Sequence, residues 1–370
     1  MPLWSTIHIK FEWTAPSSRI NILHDWILRS RTLPLTLYVD IGDSTEELKG
    51  VIDVISQCSN RWHSLSLDMP LELLRTFHRY VHYIPLRRLR IFIRGGLADD
   101  KLRVPFLNPN VSLEKIEMVD VCFKSLQNLW NRLSTAIVEC FDLEEITQLF
   151  QLASQMTYCD ILLPQCRPEN FSMPPIIHQR LKTLSLCSTR YSDFAAQIIN
   201  SLTLPSLQEF HCNEMVFLTP AYLPALMHRS SCPLTRITLF KNLGNSCSYF
   251  GGLQQPLPGV TDLVVDQVDG ILVLKLKKLL LENFFPDLRH LTLRLRAFLF
   301  LWNAGAIPLL LDRKRPRPDG PNEGRLHKFL VVKDQSTTGI DKFDRMWKSD
   351  VGEQLNALNI SPREGGFEFF

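Results

Sequence analysis

The sequence predicts an α/β fold: an irregular leucine-rich-repeat solenoid, with a parallel strand sheet on the concave face and helices on the convex face. Three observations predict it. First, the pattern apolar-x-x-apolar-x-apolar, clearest in Leu181-Lys182-Thr183-Leu184-Ser185-Leu186, recurs from Trp4, Trp62, Leu86, Leu113, Leu133, Met156, Leu207, Leu234, Val260 and Leu288, with a weaker copy from Thr32. Second, the steps from Thr32 to Leu288 are 30, 24, 27, 20, 23, 25, 26, 27, 26 and 28 residues, clustering at the roughly 20–29-residue period of leucine-rich repeats. Third, helical periodicity follows many of these strand units, and a proline precedes the next at Pro85, Pro205, Pro233, Pro258 and Pro286. Proline lacks an N–H and biases its predecessor to extended geometry, so it ends a helix before a strand begins. Strand, turn, helix, proline, strand requires parallel pairing with crossover helices.

Within each unit the fourth and sixth residues are apolar. The fourth are Ile7, Leu35, Leu65, Leu89, Ile116, Ala136, Cys159, Leu184, Phe210, Ile237, Leu263 and Leu291; the sixth are Ile9, Leu37, Leu67, Ile91, Met118, Val138, Ile161, Leu186, Cys212, Leu239, Val265 and Leu293. A strand alternates faces with a period of two. These residues therefore point inward together, and the third, fifth and seventh point outward together. An asparagine three residues past the sixth position would bond neighbouring turns in the common consensus. Here Pro70, Arg94 and Val121 stand in that place, so no asparagine ladder is expected.

Taken in order, residues 1–19 hold the first strand unit and its lead-in. A helix from Ser17 or Ser18 carries Ile22, Leu23, Trp26 and Ile27 on one expected face. Ser44-Thr45-Glu46-Glu47 reads as a capping box ahead of Leu48, Val51, Ile52 and Ile55. Residues 20–300 form the solenoid. Later helices are expected behind Ser192-Asp193, with Phe194, Ile198, Ile199 and Leu202; behind Thr219-Pro220, with Tyr222, Leu223, Leu226 and Met227; and over 275–283. Residues 301–324 are an irregular segment with a basic, proline-rich loop. Residues 325–370 supply a terminal strand unit (Leu326, Phe329, Val331), a closing helix over 341–358 and a glycine-containing tail that packs as a cap or frays. The chain opens inside a strand unit, so a capping segment upstream of Met1 is expected, since terminal repeats need one.

Composition narrows the function. The 370 residues are 45% hydrophobic with a formal net charge of +3, which names no dominant electrostatic partner. Nine cysteines are scattered without a C-x-x-C pair, and Cys159 and Cys212 take inward positions. They read as reduced core residues of an intracellular protein, cytoplasmic or nuclear. The longest uncharged apolar stretch, 297–311, is too short to span a bilayer, and no secretory leader is apparent. No membrane partner is expected.

No catalytic, cofactor or metal motif stands out. The glycine pairs at Gly95-Gly96 and Gly251-Gly252 read as turns. His78 and His82 lack a third ligand nearby. Glu144 and Glu145 are adjacent on a helix, so they point apart and read as a solvated helix start. The cluster Arg313-Lys314-Arg315-Pro316-Arg317 reads as a solvated loop, with a nuclear-import address or a nucleic-acid contact as alternatives. An enzyme is therefore not expected, nor is nucleic acid as the principal partner.

Function is expected on the outward strand positions. Arg88, Arg90 and Lys115 form a basic patch; Glu209, His211, Asn213, Arg236, Asp262, Asp266, His290 and Arg294 form a mixed one. Phe92, Tyr158, Leu162 and Phe240 are candidate anchors between them. A parallel solenoid presents such residues as one surface, suited to reading a protein partner by charge complementarity around buried aromatic contacts.

Several segments carry a family likeness: LWSTIHIKF at the start, DWILRSRTLPLTLYV, CSNRWHSLSLDMP, LPSLQEFHCNEM and FPDLRHLTLRL. Through them the chain resembles fungal F-box proteins with irregular leucine-rich repeats, over about 300 residues from Trp4 to Leu295. The resemblance implies the substrate-binding repeats of a cullin-type ubiquitin-ligase subunit, with a protein target on the concave face. Family members carry the F-box just upstream of the segment matching Leu3-Trp4, so the resemblance implies a ligase adaptor as partner only where an F-box precedes Met1. The alternatives are a repeat scaffold unrelated to ubiquitin transfer and a truncated, non-functional product.

Overall fold

The computed structural model describes residues 4–11, 17–42, 46–76, 86–94, 113–119, 121, 130–139, 141–163, 173–188, 192–213, 221–240, 256–268, 279, 283–295, 328–333, 360–363 and 366–369. It divides into two compact units, Met1–Leu181 and Lys182–Phe370.

Among the described residues, the first unit contains seven strands paired in chain order, every pair parallel: β1 (Thr6–Phe11), β2 (Leu35–Ile41), β3 (Trp62–Pro70), β4 (Arg88–Arg94), β5 (Lys115–Val119), β6 (Thr135–Glu139) and β7 (Tyr158–Leu163). Helices α1 (Ser17–Arg29), α2 (Glu46–Ser56), α3 (Leu71–Leu74) and α4 (Leu143–Leu152) fill the crossovers, with 3-10 turns at Ser59–Arg61 and Trp130–Arg132 and a two-residue strand β8 (Ile176–Ile177) near the end.

The second unit runs β9 (Thr183–Ser188), α5 (Ser192–Ser201), the two-residue β10 (Leu202–Thr203), β11 (Glu209–Cys212), α6 (Leu223–Ser230), β12 (Arg236–Leu239), β13 (Asp262–Val268), β14 (His290–Leu295), β15 (Lys328–Lys333), β16 (Ile360–Arg363) and β17 (Gly366–Phe369). β9, β11, β12, β13, β14 and β15 pair in parallel. β17 then joins β15, and β16 joins β17, both antiparallel. The tail thus extends this sheet as two strands. The fold is α/β with parallel sheets built one repeat at a time, as the periodicity requires.

Each expected strand unit forms a strand, and all 24 inward residues are buried. The hydrogen-bonded register joins Leu65 to Leu89, Leu89 to Ile116, Ile116 to Ala136 and Ala136 to Cys159 in the first unit; in the second, Leu184, Phe210, Ile237, Leu263, Leu291 and Phe329 fall into one line. One register is corrected. Ile7 pairs with Leu37, and Leu37 with Leu65, so the second unit starts two residues later than Thr32. Leu35, Leu37, Val39 and Ile41 are all buried on the same face, and a period-two apolar run cannot by itself distinguish a two-residue slip. A register irregularity beside Leu35 absorbs the remainder.

The helices bury the faces that their spacing sets: Leu48, Val51, Ile52 and Ile55 on α2, and Phe194, Ile198 and Ile199 on α5, with Leu202 just beyond it. Each such side chain contributes about 1.5–3 kcal/mol of transfer free energy. α1 departs from expectation: Leu23 and Ile27 are buried, while Ile22 and Trp26 are 48% and 37% exposed. Four residues at i, i+1, i+4 and i+5 cover a wider arc than one packed neighbour covers. α6 begins at Leu223, with Tyr222 as its N-cap residue; Thr219-Pro220 lies outside the described residues. So do Ser44, the side chains of Glu47, Ser192 and Asp193, the basic loop, His78, His82, both glycine pairs, segment 297–311 and the expected helix over 341–358. Of 275–283, only Leu279 and Asn283 are described.

The five described free cysteines include Cys58, Cys159 and Cys212, all buried. Burial pushes the Cys159 thiol far above its ordinary pKa, so it packs as a small apolar group. Among the described residues no helix is long and apolar enough to cross a membrane.

Candidate protein-interaction face

Parallel pairing stacks equivalent residues about 4.8 Å apart along rows, one row for each outward position. In the first unit the third-position row contains Ser64, Arg88, Lys115, Thr135 and Tyr158 on β3 to β7. Arg88 and Lys115 are direct register partners and both exposed. In the fifth row Arg90 Nε lies 3.1 Å from Glu117 Oε1, and His8 stacks on Tyr38 with ring centroids 4.3 Å apart. Phe92, Val119 and Leu162 stand half-buried in the seventh row.

The C-terminal end of β4 carries a charge network. Arg94 donates from Nε to Asp68 Oδ1 at 2.5 Å, and from Nη2 to Asp68 Oδ2 at 2.9 Å and Asp40 Oδ1 at 2.8 Å. The hydrogen bond to Asp68 is the main cause of a raised Arg94 pKa. This arginine occupies the place of the missing consensus asparagine and ties β2, β3 and β4 together. Its signal in the sequence was aspartate at the seventh position of two successive units followed by arginine at the ninth of the third.

In the second unit the third row sets Arg236 between two acids, with a histidine beyond: Glu209, Arg236, Asp262, His290. Arg236 Nη1 lies 3.5 Å from Glu209 Oε1 and its Nη2 lies 3.6 Å from Asp262 Oδ1. His290 Nδ1 is 3.1 Å from the same Asp262 oxygen. His211, one row on, is 3.6 Å from Glu209 Oε2 and meets the Phe240 ring edge-to-face at 6.0 Å. The mixed patch is therefore largely self-paired. Exposed pairs of this kind contribute about 0–1 kcal/mol each, so the row sets local order more than it attracts charge.

Neither family models nor curated proteins match the chain.

The structure gathers Arg88, Arg90, Phe92, Lys115 and Tyr158 on one sheet face of the first unit, and Glu209, His211, Arg236, Phe240, Asp262, Asp266 and His290 on one face of the second. Arg294 lies on β14 by its backbone; its side chain is outside the described residues. Two outward hydroxyls are not exposed. Ser185 and Thr238 flank His211 in the fifth row and are 2% and 7% exposed. A short side chain between longer neighbours is shielded even on the open face. Glu145 is corrected as well: it is 3% exposed, because its carboxylate accepts the Asp142 N–H at 3.0 Å while Asp142 Oδ1 accepts the Glu145 N–H at 2.8 Å. Glu144 stays exposed. Among the described residues no group of three or more His, Cys, Asp or Glu is placed to hold a metal ion.

Sequence reasoning missed how the repeats are coupled. At the start of seven described strands, one carbonyl accepts two N–H groups from the next repeat. Arg87 O serves Glu114 and Lys115, Glu114 O serves Ser134 and Thr135, and the scheme continues at Ser134, Lys182, Gln208, Thr235 and Thr261. The hydroxyls of Ser134 and Thr157 add bonds of 2.9 and 3.2 Å along that line; Thr235 and Thr261 add bonds of 3.4 Å. Serine or threonine in second position was its signal.

A second device closes helix ends. The last carbonyls of a helix lack intrahelical partners, and here a side chain from the following repeat supplies the donor. Arg61 reaches Ile27 O at 3.3 Å, Ser30 Oγ at 2.9 Å and Arg31 O beyond α1. Arg229 reaches Ile199 O at 2.6 Å and Leu202 O at 2.7 Å at the end of α5. His178 Nε2–H donates to Ala153 O, at the end of α4, at 3.0 Å, while Nδ1 accepts the Leu181 N–H at 3.2 Å. That pair of bonds fixes a neutral tautomer, and burial lowers the His178 pKa.

Proposed function

We propose that the chain is a non-catalytic protein-recognition module whose partner lies on the outward strand face, like the substrate-binding repeats of an F-box ubiquitin-ligase subunit. One observation carries the reading. Inward positions are uniformly apolar and buried, while outward rows on the same strands mix cations, anions, hydroxyls and half-buried aromatics. Chemical variety confined to one face of a regular scaffold suits recognition, because packing does not dictate those residues. Phe92, Tyr158 and Phe240 offer the aromatic area that anchors protein contacts.

A photo-crosslinking phenylalanine analogue at Phe92 or Tyr158, on the full chain in its native cell, tests this. These positions are expected to trap the same protein, whereas the analogue at Asp53, on the exposed side of α2, traps none. Equal yields from both faces would refute the reading. The ligase role is tested separately by whether the native gene product co-purifies with the ligase adaptor.

A further inference from the structure

We infer that the third-position row of the first unit binds an acidic, extended segment of the partner protein, laid across β3 to β7. This inference rests on the protein-recognition reading and names the chemistry of the partner.

The argument begins with charge. Arg88 and Lys115 are register partners on adjacent parallel strands, about 4.8 Å apart at the backbone. Like charges directly opposite one another in a sheet destabilise it, so this juxtaposition lowers fold stability. Among the described residues the neighbouring acids Glu114 and Glu117 are engaged elsewhere. Glu114 is held by Arg87 at 2.9 Å and Glu117 by Arg90 at 3.1 Å. Among the described residues Arg88 and Lys115 alone in this patch have no ion-pair partner. The second unit shows the contrast: in its equivalent row Arg236 lies between Glu209 and Asp262 and pairs with both.

The rest of the row suits an anionic chain. Ser64, Thr135 and Tyr158 flank the two cations, each with a hydroxyl able to donate to a carboxylate. No acid occurs in this row from β3 to β7. Five strands span about 19 Å at their ordinary spacing, the length of roughly six extended residues. Alternate side chains of such a segment face the sheet, so about three carboxylates meet the row.

The probe is a fluorescein-labelled eight-residue peptide of alternating glutamate and serine, titrated into the full chain by fluorescence anisotropy. The glutamine–serine peptide is expected to bind at least tenfold more weakly. Arg88→Gln and Lys115→Gln are each expected to weaken the glutamate peptide about tenfold, with thermal stability unchanged or raised as the like-charge contact is relieved. Arg19→Gln, an exposed cation on the crossover helix α1, should leave binding unchanged. No binding, equal binding of the two peptides, or equal loss from Arg19→Gln would overturn the inference. Crosslinks from Phe92 and Tyr158 that persist in such a case would leave protein recognition standing and refute only the acidic class.

Discussion

Replacing Arg229 by methionine should loosen the end of α5 without disturbing the strands around it. The substitution keeps most of the apolar stem and removes the guanidinium. Three hydrogen bonds disappear: Nη2 to Ile199 O at 2.6 Å, Nη2 to Leu202 O at 2.7 Å and Nε to Leu202 O at 3.0 Å. Leu202 is buried, so water replaces them poorly. Each bond to a charged donor contributes about 1.5–3 kcal/mol. Opposing this, partial burial lowers the Arg229 pKa although the residue stays exposed overall: the cation has given up part of its hydration, and solvent screens part of each bond. With two of the bonds sharing one carbonyl, the net loss is about 2 kcal/mol. Repeat proteins open locally, so the assay is native-state amide exchange rather than a global melt. Amides at the end of α5 and in β10 should exchange about thirtyfold faster, the equivalent of about 2 kcal/mol. Arg132→Met, at an exposed arginine outside these helix-end bonds, should change nothing. Exchange faster by less than about twofold at α5 would refute the claim that side chains from the next repeat hold the helix end closed.

Aspartate at Leu184 or Ile237 should unfold the flanking repeats, because both side chains are fully buried and a carboxylate there has no partner. Ser185→Asp should also destabilise, by less, since Ser185 is buried on the open face; chevron or exchange data showing Ser185→Asp neutral would mean that its shielding is not maintained. His178 predicts a pH dependence: the folded state holds it neutral through burial, so the unfolded chain binds the extra proton. Its contribution is complete above the ordinary histidine pKa of about 6.5 and falls as pH drops below it, by at most about 1.4 kcal/mol per pH unit. Urea midpoints of the wild type and of His178→Gln should converge between pH 7 and 5; parallel lines would refute it.

The strand framework was legible because its signal is dense. Two inward apolar positions recur in every unit, and burial enforces both. The slip at Thr32 shows the limit: where Leu35, Leu37, Val39 and Ile41 all satisfy the pattern, only pairing to Ile7 and Leu65 decides. The outward residues were placeable once the period was known, but their mutual pairing was not. Whether Arg236 meets Glu209 and Asp262, or has a like charge beside it as Arg88 does, depends on the identity of the row neighbour in a repeat some 27 residues away. Arg61, His178 and Arg229 were harder still. They lie between strand units, where no periodic position marks them, and their partners are backbone carbonyls that carry no sequence signature.

These two kinds of residue divide the labour in a way that bears on function. The inward leucines hold each repeat together but are nearly interchangeable in chemistry. The carbonyl chain at the strand starts and the side chains at the helix ends join one repeat to the next, and they use only backbone groups of the open rows, leaving the outward side chains uninvolved. Stability therefore makes little demand on outward residues such as Arg88 and Lys115. Their like-charged juxtaposition works against the fold where an acid at either position would have formed a pair, as at Arg90 and Glu117 one row away. A scaffold joined by its backbone and helix ends can carry that cost, and the cost itself marks the row as a place where a ligand supplies the missing charge.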